Sequence, residues 1–299
     1  MLTDMQRVQT KMTSHAGAYT HSPDRHLWLV LITAISLLAA SIGVSPALAA
    51  EDVWADLKPD LFEDRTINDG SEWLALDAPY RAHDAALVPI KIVALKRQAS
   101  DTYIKSITLV IDKNPAPLAA VFKLSRESGL ASVSTRVRVN AYTHIRAIAE
   151  TSDGSLFMVS RFVKASGGCS APSQKNLNES LAKMGLMKLR QYSPIPSADG
   201  ATKRVHEAQL MIRHPNTSGL QMDQITGYYI PAHFVDEIEV RHGDKTVLSI
   251  EGAISLSEDP TVRFHYVSEG EGELTARIED TEGNVFEKSW PVAPAPAIN

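Results

Sequence analysis

Residues 145–163 read IRAIAETSDGSLFMVSRFV. Ile145, Ala147 and Ala149 alternate with other residues, Asp153-Gly154 follows, and an apolar run from Leu156 to Val163 closes the stretch. Asp-Gly between two such runs is the strongest short-range signal for a β-hairpin. Upstream, Val133, Thr135, Val137 and Val139 point one way while Ser134, Arg136, Arg138 and Asn140 point the other. Further upstream Ile107, Leu109 and Ile111 keep period two until Asp112-Lys113-Asn114-Pro115 breaks the run. Before that, Trp54, Leu57 and Leu61 share one face of a short amino-terminal helix or arm over residues 51–64.

Downstream, residues 173–192 carry Leu177, Leu181, Met184 and Met187–Leu189 at helical spacing, with Ser173 placed as an N-cap. Turn formers at 193–200 then read as a linker. Six strands are expected beyond it, at 207–213, 233–241, 246–251, 261–267, 273–279 and 285–290, separated by turn signals every ~10 residues. The fold class is therefore all-β: two immunoglobulin-like β-sandwich domains joined by a short helix and linker. The boundaries are a leader over 1–49, a first domain over 50–172, the helix and linker over 173–200, and a second domain over 201–299.

Arg25, an apolar run from Leu27 to Val44 and Ala47-Leu48-Ala49 have the order of a cleavable secretory signal, so the expected location is the periplasm. The alternative is an amino-terminal anchor, since the apolar run is nearly long enough to span a membrane. Without Arg7, Lys11, Arg25, Asp4 and Asp24, 27 basic and 33 acidic residues remain, a net charge of −6. That balance argues against nucleic acid or an anionic membrane as partner.

The chain has one cysteine, Cys169, preceded by Gly167-Gly168 and followed by Ser170-Ala171-Pro172. One thiol makes no internal disulfide, and Gly167, Gly168 and Ser170 read as a flexible loop that presents the sulfur at the surface. His144 is a candidate to approach Cys169 and stabilise its thiolate. His144 and His265 sit within strand patterns, on a solvated or inter-domain face. His214 and His233 lack the spacing of a metal set, which assigns them structural or interface roles. Tyr228-Tyr229, Phe234 and Trp290 read as core, and the helix bearing Met184 and Met187 as packing between the sandwiches. No metal, no cofactor and no catalytic residue is expected: an oxyanion motif, a nucleophile elbow and a phosphate-cradling loop are all missing.

The second domain resembles the Z subunit of the SoxYZ carrier of bacterial sulfur oxidation. The likeness rests on Ile212-Arg213-His214-Pro215, Ser218-Gly219, Tyr229–Phe234, Leu256–Pro260 and the turn at Asp280–Gly283. The first resembles the Y subunit, whose Gly-Gly-Cys-Gly-Gly tail bears the carrier thiol, with Gly167-Gly168-Cys169 in that place. The whole is similar to fused, quinoprotein dehydrogenase-associated SoxYZ-like carriers. That resemblance implies a non-enzymatic carrier on which a sulfur-containing or thiol-reactive intermediate, as in thiosulfate oxidation, is covalently held by Cys169. The implied partners are periplasmic sulfur-oxidation or quinoprotein dehydrogenase-linked enzymes. The alternative is a non-covalent interaction module for a periplasmic quinoprotein dehydrogenase system. One departure stands out. Cys169 is followed by 130 residues, so its loop is anchored at both ends and has roughly half the reach of a free tail.

Overall fold

The computed structural model describes residues 53–98, 101–173, 176–195 and 204–292; the leader at 1–49 and most of the 193–200 linker lie outside them. Among the described residues no helix is long and apolar enough to cross a membrane. The strands are β1 (Ile67–Asp69), β2 (Leu74–Asp77), β3 (Val88–Ala94), β4 (Ile104–Ile111), β5 (Leu118–Leu124), β6 (Val133–Val137), β7 (Thr143–Thr151) and β8 (Leu156–Val163). After them come β9 (Met187–Gln191), β10 (Arg204–Ile212), β11 (Val235–His242), β12 (Lys245–Gly252), β13 (Thr261–Ser268), β14 (Glu273–Asp280) and β15 (Val285–Pro291). Helix α1 spans Val53–Phe62 and helix α2 spans Leu177–Ala182.

The strands form two sheets, and both run through the two halves of the chain. One has nine strands in the order β1-β8-β7-β4-β5-β12-β11-β14-β15, the other six in the order β2-β3-β6-β13-β10-β9. The seam in the larger sheet is antiparallel β5–β12, with Leu124 opposite Leu248, Phe122 opposite Ile250 and Ala120 opposite Gly252. In the smaller sheet it is the pair Arg263–Ser134 between β13 and β6. The expected β-sandwich architecture is present, with the two units fused edge to edge.

Period-two burial explains this arrangement. β13 and β14 bury every second residue, so Val262, Phe264 and Tyr266 face inward with Leu274, Ala276 and Ile278. One core cluster takes in Ile90, Ile107, Leu109 and Phe122 of the first half and Val240, Leu248, Ile250 and Phe264 of the second. Each such side chain contributes roughly 1.5–3 kcal/mol on burial, more than any exposed ion pair on this surface. The opposite face of β4, β7 and β8 is covered by α1, where Trp54, Leu57, Leu61 and Phe62 pack on Val110, Ile148 and Leu156.

The region after Cys169 departs from the sequence reading. Asn176, not Ser173, caps the helix by accepting from the Asn178 amide, and α2 stops at Ala182. Met187–Leu189 are strand residues in β9, the edge that pairs with β10. Leu and Met there suit both periods, and backbone pairing decides for the strand. Helix α2 is mostly exposed, with only Ser180 buried, so it does not pack between the sandwiches.

Candidate functional site

β8 ends at Val163, and the chain then runs on beside residues 80–82, with Lys164 N–H donating to Tyr80 O and Ala82 N–H donating to Lys164 O. Gly167 N–H donates to Asn140 O (2.9 Å) and Gly168 N–H to Val139 O (3.0 Å), which lays the cysteine segment along the chain leaving β6. Gly167 has φ +76° and faces open space. At Gly168 a Cβ would stand 2.1 Å from Ala85 O and 2.7 Å from Val139 O, so only glycine fits.

These glycines seat the cysteine rather than tether it. Cys169 is fully buried, which corrects the expectation of a flexible loop holding the sulfur at the surface. Ser170 is exposed and its hydroxyl donates to Gly167 O, marking where the chain returns to the surface. The second half closes over the segment. Ser218 Oγ donates to Cys169 O at 2.5 Å and Gln221 Nε2 to Ala171 O at 2.9 Å.

The charged neighbour is Arg138, not His144, whose ring is exposed and meets Phe162 edge-on at 5.1 Å. Arg138 is fully buried; Nη1 donates to Gly168 O (3.3 Å) and Nη2 to Asn216 O (3.2 Å). Its Nε has no partner among the described residues. Burial lowers the guanidinium pKa, against the pull of Cys169, Glu258 and Asp84. Burial pushes the Cys169 thiol up to about 11, with Arg138 opposing. At pH 7 roughly one such thiol in ten thousand is ionised, so the resting sulfur is a poor nucleophile. Release of the segment breaks five hydrogen bonds: those of Gly167 and Gly168 N–H, Arg138 to Gly168, Ser218 to Cys169, and Gln221 to Ala171. At about 0.5–1.5 kcal/mol each, opening costs a few kcal/mol, within reach of partner binding.

His214 and His233 are brought together with Asp280. Their Nε2 atoms lie 3.3 Å and 2.8 Å from Asp280 Oδ2, and the rings cross at 85°. The donor set resembles that of a metal site. The tautomer opposes one: Asn216 N–H donates to His214 Nδ1 (3.1 Å), so the proton of the neutral ring sits on Nε2, facing Asp280. A coordinating Nε2 needs its lone pair free there. Asp280 also accepts from the Glu282 and Asn284 amides and from Asn284 Nδ2. Although burial opposes ionisation, those bonds and the two imidazoles hold its carboxyl far below the usual range. The three residues tie the loops at 214–218, 231–234 and 280–284 into a structural node.

His265 lies between the halves, with Nδ1 3.4 Å from Ser132 O. Met187 is buried and Met184 half-buried; Trp290 packs on the core and Phe234 is half-buried. Tyr228 and Tyr229 are exposed, contrary to their reading as core. The signal for Arg138 lay among the polar residues that alternate with Val133–Val139, and nothing in its spacing related it to a residue 31 positions on.

Two family models match in succession: "Sulfur oxidation protein SoxY" over residues 58–169 and "Sulphur oxidation protein SoxZ" over 196–291. The first match ends on Cys169. No curated protein matches the sequence at a significant level. Among solved structures, the sulfur carrier protein SoxY from Chlorobium limicola f thiosulfatophilum is similar at 22% identity, over 37% of this chain and 89% of its own, with a TM-score of 0.31. A beta-glycosidase from Bacteroides vulgatus is similar at 12% identity over 74% of this chain and 24% of its own, with a TM-score of 0.22. With a SoxY domain running up to a cysteine seated under the SoxZ domain that follows it, the chain joins the SoxY and SoxZ families of sulfur-oxidation proteins in one fused form.

Proposed function

We propose that this protein is an exported, periplasmic carrier that holds a small sulfur-containing cargo covalently on Cys169 and hands it between partner enzymes, without catalysing the chemistry itself. The observation that carries this reading is the end of the SoxY match on the chain's sole thiol. Loading by exchange needs no oxidant. The Cys169 thiolate attacks one sulfur of an existing S–S bond in a donor, a new S–S bond forms as the old one breaks, and the leaving sulfur departs as a thiolate. The burial of Cys169 gives such a carrier a closed resting state, protected from oxidation and adventitious disulfides. Loading then follows release of the segment at 167–171, with the partner supplying both the opening and the activation.

Intact-mass measurement of the protein recovered from its own cells tests this. The expected result is a mass lacking the leader and carrying an adduct on Cys169 that thiol reductant removes. Cys169→Ser abolishes the adduct and the carrier activity and leaves the fold intact. Full function of Cys169→Ser in the organism would instead establish the non-covalent module serving a quinoprotein dehydrogenase system.

A further inference from the structure

The segment that closes over Cys169 continues into a hairpin whose outer end is apolar. Residues 218–230 are rigidly built: Ile230 N–H donates to Gln221 O, Asp223 N–H to Tyr228 O and Gly227 N–H to Asp223 O. Asp223 Oδ1 accepts from the amides of Ile225 and Thr226 and from Thr226 Oγ1. This fixed tip holds Leu220, Met222, Ile225, Tyr228 and Tyr229 in water, with Ile225 95%, Tyr228 77% and Tyr229 66% exposed. They are five of the thirteen exposed large hydrophobic side chains among the described residues, gathered within ten positions. Single exposed apolar residues need no explanation; a cluster on a rigid scaffold does. The tip is also nearly free of charge. No Lys or Arg occurs between Asn216 and Phe234, and the one carboxylate, Asp223, has an oxygen already committed to its own turn.

We infer that the tip of this hairpin is the docking surface for the enzyme that loads or unloads Cys169, and that docking there frees the thiol. The inference rests on the carrier reading. Its second support is continuity: the arm that ends in Ile225 and Tyr228 begins with Ser218 and Gln221, which clasp the backbone of Cys169 and Ala171. A partner seated on the tip therefore sits on the element that must move for the sulfur to emerge. Its complementary surface is an apolar, aromatic-accepting cleft of low charge, and the association resists added salt.

The test compares the wild type, the tip variant Ile225→Ser/Tyr228→Ser and the clasp variant Ser218→Ala/Gln221→Ala, all as full chains. With the purified proteins, the reaction of Cys169 with 5,5′-dithiobis(2-nitrobenzoate) is expected to be unchanged within about twofold in the tip variant and at least about tenfold faster in the clasp variant. In the native cells, turnover of the Cys169 adduct after a thiosulfate pulse, followed by intact mass, is expected to fall about tenfold or more in the tip variant. An adduct that the tip variant turns over at the wild-type rate overturns the docking inference alone. Absence of any adduct in the wild type overturns the carrier reading, and the inference with it. Self-association of the wild type that the tip variant abolishes, seen by sedimentation, assigns the patch to a second copy and overturns the inference as well. A clasp variant no more reactive than the wild type overturns the link between docking and release.

Discussion

The His214–His233–Asp280 node and the Cys169–Arg138 junction are both buried, polar and assembled from distant loops, yet they are finished differently. Both carboxylate oxygens of Asp280 have donors facing them. At the junction a guanidinium Nε has no partner among the described residues and a thiol is held neutral by desolvation. A satisfied buried network rigidifies a fold, whereas an unsatisfied one is a place where structure has been traded for something else. The difference separates the two sites into an anchor and a seat that is made to be vacated.

The largest effect is expected at the anchor. Asp280→Asn leaves two imidazole N–H groups facing a neutral amide, at about 3–5 kcal/mol for the loss of one partner of a buried charged set. Thermal unfolding should then begin about 10 °C lower, as read by calorimetry. A stability within 1 °C of wild type would place the node in the same class as the junction.

Gly168→Ala strikes the seat. The added methyl meets Ala85 O and Val139 O, so the segment must lift. Overpacking of this kind costs about 1–3 kcal/mol, less than the node variant, while iodoacetamide alkylation of Cys169 should accelerate by about an order of magnitude or more. A thiol that stays unreactive in this variant would show that the glycine does not control burial.

Acid and alkali should divide the two sites. His214 is held below its ordinary pKa chiefly by burial, as are His206 and His265. As pH falls below about 6.5 the unfolded chain takes up these protons first, so stability declines from there, and Asp280 adds its share below about pH 4. Cys169 behaves oppositely. Its folded pKa of about 11 exceeds the ordinary value of 9.0, so between those values the unfolded or opened chain loses the proton first and closure weakens as pH rises. Denaturant midpoints across pH, alongside alkylation rates, should show acid acting on the buried histidines and Asp280, and alkali on the junction. The smallest effect is reserved for the exposed contact between Lys123 and Glu251 across the seam. Lys123→Ala should change stability by less than about 1 kcal/mol in a melt.

Much of the architecture was legible because period two survives in the sequence wherever one face of a strand is buried. Leu156–Val163 and the six strands of the second half came out within three residues of their observed ends. β1 is too short to carry an alternation, and in β2 Leu74 and Leu76 alternate over only four residues. β5 was hidden because Ala119 and Ala120 are both buried, which breaks the pattern. The site was legible as an identity, Cys169, and not as an environment. Gly-Gly permits either a tether or a tight fit, and the atoms that decide, Ala85 O and Val139 O, come from loops distant in sequence. Tyr228 and Tyr229 misled for a related reason: aromatic rings report an appetite for burial without naming what covers them.

The pairing of β5 with β12 also bears on how the molecule is made. As the chain emerges amino-end first, Leu118–Leu124 appears before its partner at 245–252, and a hydrogen-bonding rim stays bare through more than a hundred further residues. Such a rim accepts any matching β12, including one from a neighbouring copy, so reciprocal exchange of carboxy-terminal halves is the misassembly this design invites. Crowded overproduction should therefore yield swapped dimers that dilution and slow refolding return to single chains.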